Sequence, residues 1–84
     1  MRIILKKMKR SDIPTTAVLL ACHRFHKEGF QAPWKTLMEE FSAPEKVVYA
    51  AMERDHNRGL IDYGVSLRTG WVTPEGYEVL IISA

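Results

Sequence analysis

Cys22 and His26 stand one helical turn apart, and His23 and His56 add two more imidazoles, so a metal site or a Cys–His nucleophile is the first chemistry to weigh. Zinc takes four ligands, or three and an open position. Two helical ligands are present without a clear third and fourth. Cys22 also falls inside the apolar run 17–22, where a free cysteine behaves as a small hydrophobe. As the lone cysteine it has no partner for an internal disulfide. No glycine-rich phosphate loop or paired-carboxylate motif is present. The residues therefore predict a protein that is not an enzyme and uses no metal and no cofactor.

What remains is charge, and it is unevenly spread. Residues 1–31 carry seven bases and two acids, residues 32–58 four and five, and residues 59–84 one and three. The basic excess thus sits at the N-terminus, with Lys6, Lys7, Lys9 and Arg10 in an arm over residues 1–10. Ile3-Ile4-Leu5 within that arm suits either an edge strand or a helical turn. A chain of 84 residues fits one small domain, read here as residues 11–84. Such a chain buries only about 60% of the surface its unfolded form exposes. With 46% apolar and 26% charged residues, the composition is that of a soluble globular protein and not of a disordered one. No apolar run approaches the roughly 20 residues of a membrane span. The first residues are too short an apolar stretch for a secretory signal, and the expectation is a cytoplasmic protein.

The elements that would position these residues are marked by proline and glycine. Asp12 suits the cap of a helix from about Ile13 to Lys27, with Pro14 in its first turn and Gly29 as its stop. Its nearly continuous apolar residues predict burial on more than one face. Pro33 opens a second helix whose Trp34, Leu37, Met38 and Phe41 form one stripe. Ser42 and Glu45 have capping-box spacing before a third helix that Gly59 ends. Residues 60–66 read as a strand, 67–70 as a loop with Gly70 at positive φ, and Trp71-Val72 as the return strand. Thr73 and Pro74 then open a short helix turning Tyr77, Leu80 and Ile81 inward, with Gly76 weakening it by about 1 kcal/mol. Leu20, Leu37, Phe41, Val48, Met52 and Leu60 are expected to share one core.

Helix, short extended segment, helix, tight turn, helix and hairpin, in that order, resemble the winged helix-turn-helix family from about Ser11 onward. The resemblance is sharpest at Val48-Tyr49-Ala50-Ala51-Met52 through Arg58-Gly59-Leu60-Ile61, which looks like a recognition helix running into the first wing strand. Trp71-Val72-Thr73-Pro74-Glu75-Gly76 resembles the second wing strand and the Thr-x-x-Gly start of a final helix, and 63–71 resembles small phage and prophage proteins. The implied fold is α+β: a three-helix core with a C-terminal β-hairpin wing and a short final helix. The implied function is sequence-specific DNA binding, as in a small transcriptional regulator. One residue departs from the pattern. Relatives commonly carry leucine four positions before the helix-ending glycine; Asp55 stands there, so either the helix ends early or Asp55 finds a basic partner such as Arg58 or a residue of the first helix.

A B-form major groove about 12 Å wide admits one helix. With Val48, Ala51 and Met52 inward, the opposite side of the third helix presents Lys46, Tyr49, Ala50, Glu53 and Asn57, flanked by Arg54. In that setting Lys46 suits phosphate or guanine, Tyr49 phosphate or a thymine methyl, Asn57 adenine and Glu53 cytosine. Arg68, with Thr69 beside it at the wing tip, suits a minor groove or phosphate. Lys6, Lys7, Lys9 and Arg10 are candidate arm contacts. The near-neutral third helix, with Glu45, Glu53 and Asp55, also fits a winged helix that contacts protein and not DNA. The apolar excess of the first helix predicts self-association, giving a homodimer.

Overall fold

The computed structural model describes residues 8–83. Residues 3–5, open between an edge strand and a helical turn, and Lys6 and Lys7 lie outside the described residues. The chain builds four α-helices and a two-stranded antiparallel hairpin in the order α1 (Thr15–Glu28), α2 (Pro33–Phe41), α3 (Glu45–Asn57), β1 (Ile61–Asp62), β2 (Trp71–Val72) and α4 (Pro74–Ser83). The α+β class expected from the sequence is the class observed.

Residues 10–12 form a short 3-10 turn instead of the start of α1. A residue before proline is pushed out of the helical region by the ring, and Ile13 accordingly is extended at φ −106°, ψ 105°. The Asp12 carboxylate accepts the Lys9 N–H at 2.9 Å and does not cap α1. The cap position falls to Pro14, whose carbonyl accepts from the N–H groups of Ala17 and Val18. Gly29, left-handed at φ 67°, closes α1 as expected.

Only Ser42, Ala43 and Pro44 separate α2 from α3. Ser42 is consumed in ending α2: it adopts φ 50°, ψ 41°, and its N–H returns to the Met38 carbonyl. The N-cap of α3 is Pro44, with no side-chain hydrogen bond, so the Ser42–Glu45 capping box does not form. Val48, Ala51, Met52 and Asp55 face inward along α3, and Gly59 at φ 77° takes the chain away from its end.

The hairpin pairs Ile61 with Val72 and Asp62 with Trp71, a shorter ladder than the expected strand over 60–66. The Asp62 carboxylate takes the Tyr63 N–H at 2.8 Å, a local bond that competes with continued pairing. The loop then folds back. Ser66 Oγ accepts the Arg68 N–H, and a 3-10 turn over Leu67–Thr69 drives Leu67 into the core. Gly70 has φ −67° and not the expected positive value. Its bare α-carbon matters for another reason: a Cβ there would stand 2.9 Å from the Asp62 carbonyl oxygen.

Thr73 caps α4, its Oγ1 accepting the Gly76 N–H at 3.1 Å while donating to the Gly59 carbonyl at 2.7 Å. Gly76 is buried against the Leu60 carbonyl and Val72, so the glycine that weakens the helix also permits it to dock. Tyr77, Val79 and Leu80 pack on the core. Ile81 lies about 100° further round the helix than Leu80 and is 73% exposed, not inward as expected.

Ile13, Val18, Leu19, Cys22, Leu37, Val48, Met52 and Ile61 form the fully enclosed centre, with Phe41 and Leu60 partly buried against it. Leu20 does not join them. It sits about 200° round α1 from Val18 and is 49% exposed, and Leu19 fills the interior position instead. As expected, α1 is the beam of the fold, contacting α2, α3, α4 and β2.

Candidate nucleic-acid interface

With the inward residues of α3 fixed, Lys46, Ala50, Glu53 and Asn57 fall along the side directly opposite at 100° per residue. Lys46, Glu53 and Asn57 are exposed, and Ala50 is half-buried. Val47 and Ala50 form one wall of a shallow hollow of about 530 Å³ whose other residues are Met8, Lys9, Arg10, Pro44 and Lys46. Three bases, Lys9, Arg10 and Lys46, therefore stand around the N-terminal half of α3.

Arg54 takes a different position from the one expected. Its side chain is 11% exposed and turned inward to Asp55, with Nη2 2.8 Å from Oδ2 and Nε 3.1 Å from Oδ1. The same guanidinium donates to the Arg10 carbonyl at 2.8 Å and the Ile13 carbonyl at 2.9 Å. Thr15 Oγ1 of α1 donates to Asp55 at 2.9 Å, and Arg58 approaches at 3.5 Å. Asp55, 0% exposed, thus has Arg58 and a residue of α1 as partners, but the neighbouring Arg54 supplies two of the four bonds that the described residues make to its carboxylate. Arg54 is a clamp between α3 and residues 10–13, and its charge is spent on a buried carboxylate. This pairing aligns Lys9 and Arg10 with the α3 face.

Arg68 and Thr69 are held against the body because the loop between the strands folds back. Arg68 Nε donates to Glu45 Oε2 at 3.1 Å, and the guanidinium carbon lies 5.3 Å from the centre of the Tyr49 ring. The hydrogen bond and charge of Glu45 raise the Arg68 pKa above its ordinary value. Thr69 Oγ1 donates to the Ser66 carbonyl, and the Thr69 carbonyl lies 3.1 Å from His26 Nε2, which donates to it in the matching tautomer. Tyr49 is half-buried beneath Arg68 and forms a notch with Glu45, Lys46 and Arg68. Nothing in the local sequence announced the Glu45–Arg68 pair, whose members are 23 positions apart.

The Cys–His residues do not converge. Cys22 is buried in the core, and burial together with the charge of Asp55 pushes its thiol up to about 12. His23 Nδ1 faces the Tyr77 hydroxyl at 3.0 Å, while His26 lies edge-on to Trp71. His56 lies beside Asp62 and Tyr63. Among the described residues no group of three or more His, Cys, Asp or Glu side chains is gathered, and no helix is long and apolar enough to cross a membrane. Comparison with protein-family models, curated proteins and solved structures gives no match for this chain.

Proposed function

We propose that this chain is a winged-helix protein that binds double-stranded DNA sequence-specifically, with α3 in the major groove, as a small transcriptional regulator. The observation that carries this reading is the grouping of Lys9 and Arg10 with Lys46 around the hollow on α3. A duplex binder needs positive charge where it docks, and α3 alone is close to neutral. The segment clamped by Arg54 brings the missing charge to the N-terminal half of the helix. Glu45 and Arg68 offset one another, which leaves Glu53 as the acid on the outward row. The three-residue turn between α2 and α3, followed by a hairpin, is the arrangement that lets a second helix enter a groove.

In this reading Lys9, Arg10 and Lys46 contact phosphates, and Asn57 at the far end of the row reads an adenine edge. Titrating random and genomic duplexes from low to moderate salt tests it. Three phosphate contacts give a log–log slope of about −2.7, and each alanine substitution at Lys9, Arg10 or Lys46 flattens it by about 0.9. Asn57→Ala leaves the slope alone and removes roughly 1–3 kcal/mol of preference at one base pair. Absence of duplex binding at low salt refutes the proposal and directs attention to protein contact.

A further inference from the structure

The notch beside Tyr49 places a carboxylate where a phosphate would have to approach Arg68. Glu45 and Arg68 are each a little under half exposed, 42% and 43% at the side chain. The pair is not sealed from water or from a competing anion. Its geometry is specific all the same: Arg68 Nε and Nη2 both address the Glu45 carboxylate, at 3.1 and 3.5 Å, and the guanidinium lies over the Tyr49 ring. Lys46 lines the same notch. A phosphodiester offers Arg68 the same planar, two-oxygen acceptor that Glu45 now offers. It therefore competes for Arg68 directly, and must do so against the negative charge Glu45 leaves behind.

We infer that Glu45 sets the affinity of this face for DNA by occupying Arg68 in place of a backbone phosphate, so that Arg68 contributes to binding only when Glu45 is displaced or neutralised. The inference rests on the proposed DNA reading and specifies the regulation of that same face. An exposed pair is weak enough to exchange with a phosphate, and the charge left on Glu45 opposes that exchange. Glu45 thus tunes affinity without touching a base.

A double-mutant cycle measured as duplex affinity and salt slope tests it, with circular dichroism confirming that each variant is folded. Glu45→Gln keeps the size of the side chain and removes its charge. It should tighten binding by roughly 2- to 5-fold, the strength of an exposed ion pair, and steepen the slope by about 0.9 as one more phosphate is engaged. Arg68→Ala in the unaltered chain should leave the salt slope unchanged, since Arg68 engages no phosphate there, whereas in the Glu45→Gln background it should abolish the gain and the added slope. If the double variant keeps the full gain, the effect is a general loss of negative charge and the inference is overturned. It is equally overturned if the unaltered chain binds DNA and Arg68→Ala flattens the salt slope in both backgrounds alike. Failure of all four proteins to bind any duplex overturns the DNA reading itself, a result distinct from binding that ignores Glu45.

Discussion

Removing the Arg54 guanidinium should be among the most damaging single changes this domain can suffer. Asp55 is fully enclosed in α3 and depends on Arg54 for two charge-assisted hydrogen bonds, at 2.8 and 3.1 Å. Arg54→Ala leaves that carboxylate with Thr15 at 2.9 Å and a long contact to Arg58 at 3.5 Å. Breaking a buried pair by deleting one partner costs about 3–5 kcal/mol. It also frees the Arg10 and Ile13 carbonyls, which lose their donor. A chain of this length has a total stability on the order of 4–13 kcal/mol. The substitution therefore removes about a quarter of it or more and lowers Tm by at least about 12 °C. Urea unfolding followed by circular dichroism measures the change. The partnered control is Arg54→Met with Asp55→Leu, which removes both charges; replacing a buried pair by apolar side chains is often neutral or stabilising, so the double variant should recover most of the loss. An Arg54→Ala cost below about 1 kcal/mol, or a double variant no better than the single, would refute the account of Arg54 as the partner that makes Asp55 tolerable.

The Cys22 thiol should resist disulfide-exchange reagents in the folded protein at pH 8 and react fully in denaturant, since burial raises its pKa from 9.0 to about 12. The same shift has a sign in stability: the unfolded thiol ionises first, so its contribution is intact below pH 9.0 and is lost as pH rises toward 12, a decline that should be shallower in Cys22→Ala. Gly76→Ala should lower Tm although alanine favours helix, because the added Cβ meets the Leu60 carbonyl and Val72 Cγ1; a cost of roughly 1–3 kcal/mol is expected, and a raised Tm would contradict the packing. Leu67→Ala should cost about 2–5 kcal/mol, the value for a core leucine, whereas an ordinary hairpin-loop position would show almost nothing.

The elements were legible in the sequence wherever the signal was local. Gly29 and Gly59 end α1 and α3 because only a left-handed residue can turn the chain there, and Pro33 opens α2 where a missing N–H is harmless. Local reading failed where two local rules competed for one residue. Ser42 fits a capping box by spacing, but a three-residue connection requires it to end α2 first. Asp12 fits an N-cap, but Pro14 forces Ile13 to be extended and moves the helix start beyond reach. The candidate interface was legible only in its outward row, which follows from helical period. Its electrostatics were not, because they depend on pairs far apart in sequence. The exposed-looking Arg54 turns inward because Asp55 occupies a position the fold buries, and that buried acid is visible in the sequence only as a break in an apolar stripe. An acid at an interior position implies a base directed at it. Arg58 meets that need by spacing and leaves Arg54 outward, but Arg58 comes only within 3.5 Å of Asp55 and Arg54 is the base that turns in, at 2.8 Å. Burial settles the arrangement: an unpaired carboxylate in the core costs several kcal/mol, and the desolvation of Arg54 is offset by its bonds to Asp55 and to the Arg10 and Ile13 carbonyls. The clamp that results draws residues 10–13 onto α3, and the basic arm comes to lie beside the helix as a consequence of satisfying Asp55.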